Sequence, residues 1–331
     1  ADAAASVRRW SARDSFGQTL AGSVAGYDVV NELTFAIRLN KPFPLMIDAL
    51  GKLSSQVPFM MPERIANTDP ATPITDATGS GPFRFIRDQW VPGQRAVYEK
   101  FADYKPRSEA PSWAAGGKVV KVDRVEWRII PDGAVAAAAL EQGEVDWLEQ
   151  PLFDLMPRLA RHRDITLEQI DPMGSIAMLR FNHLHPPFTD AKVRQAVQMA
   201  VNQSDYLQAI AGNKEYYKEC KSFFTCGTPL ASDVGSAAAG GNLDRAKAIL
   251  KDSSYKGEKI VIISPTDIPT NHVQSLVTED LLKRLGMNVE LVATDWGSVL
   301  ARRASRNAPE QGGWSIFHTW WVGPDVVNPA L

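Results

Sequence analysis

The sequence is poor in cysteine, has no long apolar run and carries almost no net charge, and each absence excludes something. No stretch approaches the ~18 consecutive apolar residues that a membrane-spanning helix needs. The formal net charge is −2 over 331 residues, so no global basic field exists to recruit nucleic acid or an anionic membrane. The opening, ADAAASVRRW, has no basic region followed by an apolar run and does not read as a signal peptide. Only Cys220 and Cys226 occur, within ECKSFFTCGTP. Their spacing is neither CxxC nor a zinc pattern. It reads as a local disulfide closing a short loop, worth roughly 2 kcal/mol, two buried thiols flanking Phe223 and Phe224 being the alternative. A disulfide in an otherwise cysteine-free chain fits an oxidising compartment.

Catalytic signatures are also missing. GxSxG, HExxH, Walker A and GxGxxG do not occur. GSGPF (79–83) precedes a strand, so it cannot aim a helix N-terminus at a phosphate; it reads as a turn needing positive φ. His183 and His185 have HxH spacing, but no nearby Cys or carboxylate completes a metal set, and they read as surface or hinge residues. EQGEVDWLEQ crowds Glu141, Glu144, Asp146 and Glu149. Paired carboxylates can do acid–base work, but a solvated helix end is the simpler reading. No cofactor or metal site emerges.

What is present is α/β patterning. Period-two alternation marks strands at 33–39, 83–87, 95–101, 122–130, 164–170 and 175–182. GAVAAAALEQG reads as a helix ending at Gly143, followed by a short strand. Residues 190–213 carry helical apolar spacing. The final third is the most regular: strand 259–264, helix 272–286, strand 287–293, helix 296–306, strand 314–320. That succession implies a parallel sheet with right-handed crossovers, and such sheets bind ligands beyond the carboxyl ends of their strands. The loop expected there is WWVGPD. Trp296, Trp314, Trp320 and Trp321 fall near it with Asp295 and Asp325, and aromatics with a few polar groups line small-molecule pockets. An Asp beside indole faces suits a ligand amine through a charged hydrogen bond and cation–π contact. Trp314 reads as core. Adjacent strand residues face opposite ways, so Trp320 and Trp321 are both core only if both faces are covered.

Several segments resemble the extracytoplasmic solute-binding proteins of the peptide/nickel class, family 5, which serve ABC importers. GSGPFRF is similar to the Gly-x-Gly-Pro-Phe with which that family opens a strand. VDRVEWRIIPDGAVAAAALEQGEVDWLE resembles its strand–helix–short-strand segment, and LRFNHLHPPFTDAKVRQAVQMAVNQSDY its crossover strand with PPFxD and VRxA. SFFTCGTPLASDVG and LKRLGMNVELVATDWGSVLARR follow in family order, and the likeness runs through essentially the whole chain. It implies two α/β lobes of periplasmic binding protein type, with mixed sheets and a hinge, closing on a solute without chemistry. The lobes would comprise 1–78 as an extra subdomain of the first, 79–177 as its core, and 178–331 as part of the second, MLRFN being a hinge crossing. The chain then reads as an interior portion of a longer mature protein. The implied partners are a small peptide-like or amine-bearing solute and membrane permease subunits, for a periplasmic, monomeric protein. An enzyme using the carboxylates near 141–149, or a chemosensory or chaperone receptor on the same fold, are the alternatives.

The resemblance assigns Asp325 to the ligand α-amine, with Asn328-Pro329 closing its loop motif, and the aromatic pattern adds Trp296, Trp320 and Trp321 as the residues expected to line the ligand. One departure bears on the ligand. Dipeptide-type members carry an Arg after the strand equivalent to 259–264 that clamps the ligand carboxylate, and the matching SPTDIPTNH has none. Arg302 and Arg303 are the candidate substitutes, but both fall on a helix face and read better as solvent or interlobe salt-bridge residues.

Overall fold

The computed structural model describes all residues except 53, 113–114 and 328–331. The chain divides into two compact units, Ala1–Ile130 and Pro131–Val327.

The first unit begins with helix α1 (Asp2–Ser11), whose Asp2 and terminal Arg8–Arg9 complement the helix dipole. Its Ala4, Val7 and Trp10 face inward, and Val7 and Trp10 pack with Phe16 and Leu20 of α2 (Ser15–Ala21). Sequence patterning alone does not announce this second helix. Asp14 starts it by accepting the Gly17 amide at 2.9 Å and meets Lys52 Nζ at 2.6 Å. Hairpin β1 (Val24–Asn31) and β2 (Thr34–Leu39) is antiparallel, and Tyr27, Phe35 and Ile37 lie against the helices. Short helices α3 (Met46–Leu50) and α4 (Glu63–Ala66) follow. Strands β3 (Phe83–Phe85), β4 (Arg95–Lys100) and β5 (Arg124–Arg128) then form a second antiparallel sheet. Neither Gly79 nor Gly81 before β3 takes a positive φ, so the turn expected there does without a left-handed residue.

The second unit opens with α5 (Gly133–Glu141), capped by Asp132. Two expected strands do not form. Residues 144–150 and 164–170 take irregular paths, because no neighbouring strand offers them a ladder among the described residues. Helix α6 (Met156–Leu159) leads to β6 (Ser175–Phe181), α7 (Ala191–Ala200), α8 (Gln203–Ala211) and α9 (Leu243–Lys251). The regular final third becomes β7 (Ile260–Pro265), α10 (Pro269–Arg284), β8 (Val289–Thr294), α11 (Trp296–Arg303) and β9 (Ile316–Val322).

The sheet order is β6-β9-β7-β8. Strand β7 runs parallel to both β8 and β9, whereas β6 is antiparallel to β9. The expected parallel core is therefore real but bordered by an antiparallel edge. Every residue of β7 is buried, because helices cover both faces. Ile260 and Ile262 pack with Leu281 and Leu282 of α10 and, beyond them, Val193 and Val197 of α7. Val261 and Ile263 meet Val299 of α11, Trp314 and Phe317.

Candidate ligand-binding site

Strand register sets up the site. Ile262 pairs with Ile316 and Ile263 with Phe317, so the same offset brings Pro265, the last residue of β7, level with Thr319. Trp320, Trp321 and Val322 therefore run past the carboxyl end of β7. They pair on the other side with β6, through Ala177–Trp320, Ile176–Trp321 and Ser175–Val322. Both tryptophans belong to the strand and not to the following loop, which begins at Gly323. They consequently face opposite ways. Trp320 shares the face of Ile316 and His318, under α10. Trp321 shares the face of Phe317, where α11 packs, and stays 37% exposed.

Trp296 opens α11 and is partly buried in the Val261–Val299–Trp314–Phe317 cluster, on the same sheet face as Trp321. Its amide donates to Asp267 Oδ1 at 2.8 Å, which ties the loop after β7 to the start of α11. Trp314 packs inward, its indole donating to the Arg303 carbonyl at 2.9 Å. Asp295 caps α11 by accepting the Ser298 amide at 2.9 Å. Hydrogen bonds from the Ser298 hydroxyl and amide hold its carboxyl below the usual range.

Asp325 lies in a 3-10 turn, Gly323–Val326, and is 8% exposed. The turn is tied on two sides. The Gly323 amide donates to the Gly174 carbonyl at 2.7 Å. A Cβ on Gly323 would sit 2.6 Å from Met173 Cβ, so only glycine allows this approach. From the other side Thr225, buried at 4%, donates its hydroxyl to the Gly323 carbonyl at 2.7 Å and its amide to the Val326 carbonyl at 2.9 Å. Thr225 belongs to the loop that Cys220 and Cys226 close with a disulfide. Asn328 lies outside the described residues. The structure thus gathers Trp320, Trp321 and Asp325 at the end of β9, with Trp296 at the head of the helix packed on one of its faces.

Both candidate arginines make contacts within the fold. Arg302 Nε donates to the Gly313 carbonyl at 3.0 Å, and Arg303 lies over the Phe317 ring, 5.6 Å from its centroid. Two surface grooves lie elsewhere. One of about 450 Å³ is lined by Pro82, Phe83 and residues 118–122, and one of about 400 Å³ by Leu179, Phe181, His183, Arg194 and their neighbours. Both are shallow grooves with little polar lining, unlike a site with converging polar groups.

Among the carboxylates near 141–149, Glu141 is held in an ion pair. Arg158 binds Glu141 through two guanidinium nitrogens, Nε at 2.7 Å, and holds that carboxyl below the usual range. A general acid needs the opposite shift. His185 Nε2 bonds the Arg306 carbonyl at 2.8 Å, and no group of His, Cys, Asp and Glu able to hold a metal occurs among the described residues. No helix among them is long and apolar enough to cross a membrane.

Sequence reasoning did not find Thr225, Gly174 or Asp267. Their contacts span 98 residues for Thr225 to Gly323 and 29 for Asp267 to Trp296, and no local pattern announces a contact of that range.

A family model described as bacterial extracellular solute-binding proteins, family 5 Middle, matches residues 1–330. A probable peptide ABC transporter periplasmic-binding protein of Sinorhizobium fredii is 38% identical over 327 residues, covering 96% of this chain and 60% of that protein. The periplasmic binding protein DppA of Helicobacter pylori, solved with the peptide STSA, superposes with a TM-score of 0.75 at 20% identity, over 97% of this chain and 57% of that one. The binding protein AgaA of A. tumefaciens R10, solved with agropinic acid, gives 0.74 at 22%, over 98% and 62%. The chain spans about three-fifths of the length of these proteins, and it has the α/β fold of the periplasmic binding proteins. With the match running from the first residue almost to the last, the chain belongs to the bacterial extracellular solute-binding proteins, family 5.

Proposed function

We propose that the protein is the substrate-binding component of an ABC importer, working outside the cytoplasmic membrane as a monomer. It captures a small peptide-like or amine-bearing solute and delivers it to permease subunits. The observation that carries this reading is the end of β9: two tryptophans run beyond the neighbouring strand and lead into a doubly tied turn that buries Asp325. A carboxylate held beside an indole favours an ammonium group by charge-assisted hydrogen bonding and cation–π attraction. Asp325 takes the solute amine, and Trp321 offers the exposed ring. Trp320 and Trp296 line the approach from opposite faces of the strand, and Asn328 closes the motif.

The solute does not depend on a carboxylate clamp. The loop after β7 carries no arginine, and its Asp267 accepts the Trp296 amide. Arg302 and Arg303 are engaged with a backbone carbonyl and a ring. This favours amine-bearing solutes generally over dipeptides recognised at both ends. The disulfide fits an oxidising compartment.

A thermal-shift screen of the full-length protein against di- and tripeptides, polyamines, opines, glutathione and nickel chelates tests the reading. A solute at 100 times its Kd adds about 2.7 kcal/mol of stability. The reading expects a rise for an amine-bearing solute that Asp325→Asn abolishes. It is overturned by slow chemical conversion of a screened solute without stabilisation, or by stabilisation indifferent to Asp325→Asn.

A further inference from the structure

We infer that Thr225 is the positioning residue of the ligand-binding turn, and that the disulfide-closed loop 220–226 serves to hold it there. The inference rests on the reading of Asp325 as the amine-binding group. Thr225 does not touch ligand itself, being 4% exposed. It acts on the two carbonyls that bracket Asp325. Its hydroxyl donates to the Gly323 carbonyl at 2.7 Å and is shared with the Val326 carbonyl at 3.1 Å, while its amide donates to the Val326 carbonyl at 2.9 Å. A turn of four residues has few internal hydrogen bonds to fix its own shape. With both flanking carbonyls anchored to one residue, the direction of the Asp325 side chain is set by where Thr225 sits.

Thr225 is itself fixed from both directions. Gln203, the first residue of α8, accepts the Cys220 amide at 2.9 Å and donates to the Cys220 carbonyl at 2.6 Å. The disulfide joins Cys220 to Cys226, one residue past Thr225. The Thr228 hydroxyl then donates back to the Thr225 carbonyl at 2.6 Å. The loop thus carries the rigidity of α8 across to the end of β9. Phe223 does not account for this arrangement, since it is 83% exposed. A binding group placed on a loop gains precision only when its support is locked, and Thr225 supplies that lock.

The test uses Thr225→Val, which keeps the shape and removes the hydroxyl, and Thr225→Ser, which keeps the hydroxyl, both in the full-length protein. Without ligand, amide hydrogen exchange at Gly323, Asp325 and Val326 should rise about tenfold in Thr225→Val. It should stay near wild type in Thr225→Ser, and the β9 amides at 316–320 should not change in either variant. The tetrapeptide STSA and the polyamine spermidine then serve as titration probes. Thr225→Val should weaken whichever one binds wild type by about tenfold, with Thr225→Ser within a few-fold. Unchanged exchange in Thr225→Val overturns the clamp. Faster exchange with unchanged affinity overturns its positioning role. Failure of wild type to bind either probe, with Asp325→Asn indifferent to the wider solute screen, counts against the Asp325 reading, while exchange alone still decides the clamp.

Discussion

At the scale of single residues, two buried polar groups have large and opposite consequences. His318 is 1% exposed beneath α10. Its Nε2 shares a hydrogen bond with Thr278 Oγ1 at 2.9 Å, and that hydroxyl also meets Tyr206 OH at 2.8 Å. Burial pushes the imidazole from its ordinary 6.5 down to about 3, the Met178 backbone opposing weakly, and pushes Tyr206 up to about 12. The folded state therefore holds His318 neutral while the unfolded chain takes up a proton below 6.5. Stability should fall as pH drops from 6.5 towards 3, with this residue contributing a slope of up to about 1.4 kcal/mol per pH unit. Urea titrations at pH 7 and pH 5 should show a smaller loss in His318→Gln than in wild type; equal losses would contradict the assignment. Thr278→Val strips the shared partner from both rings and should cost about 1–3 kcal/mol at pH 7. In the first unit, the Asp14 and Lys52 side chains are both almost wholly buried. Lys52→Met leaves the carboxylate without its cation and should cost about 3–5 kcal/mol by chemical denaturation, far more than removal of the exposed Arg163–Asp164 pair.

At the scale of elements, caps and register decide where the candidate site stands. Asp295→Ala removes the cap of α11 and should cost about 0.5–2 kcal/mol. Because α11 starts at Trp296, that variant should also change tryptophan emission before global unfolding, which a fluorescence melt reads directly. The helices and strands of the final third were legible in the sequence because each shows a clean period and is covered by its own neighbours. Strand β9 was legible as a strand, but its expected span, 314–320, starts and ends too early against Ile316–Val322. WWV has no polar alternation, and the pairing that extends the strand comes from β6, which lies far upstream in sequence. The expected strands at 144–150 and 164–170 failed for the complementary reason: local β propensity without a partner builds no ladder. Helix α2 escaped notice because SFGQTLA is short. Its start is capped by Asp14.

At the scale of the whole molecule, composition and family-wide motifs carried most of the information. A near-neutral chain with α/β periodicity and one disulfide could be assigned to the solute-binding family from segments spread along its length, and the family model matches residues 1–330. The support of the site was not legible, since Thr225, Gly174 and Gly323 meet only after the fold is complete. Reading Asp325 as an amine-binding group predicts that capture adds stability in proportion to the logarithm of solute concentration, and that salt weakens capture only modestly, because a buried charge is poorly screened.

Whether Asp325 binds the solute through an amine is decided most sharply by calorimetric titration. The solute found in the screen is compared with its N-acetylated form, against wild type and Asp325→Asn. Acetylation should weaken binding to wild type at least about tenfold and leave the much weaker binding to Asp325→Asn nearly unchanged, a coupling of roughly 1.4 kcal/mol or more. Equal losses on acetylation in both proteins would mean that the amine is recognised elsewhere and would contradict the role given to Asp325.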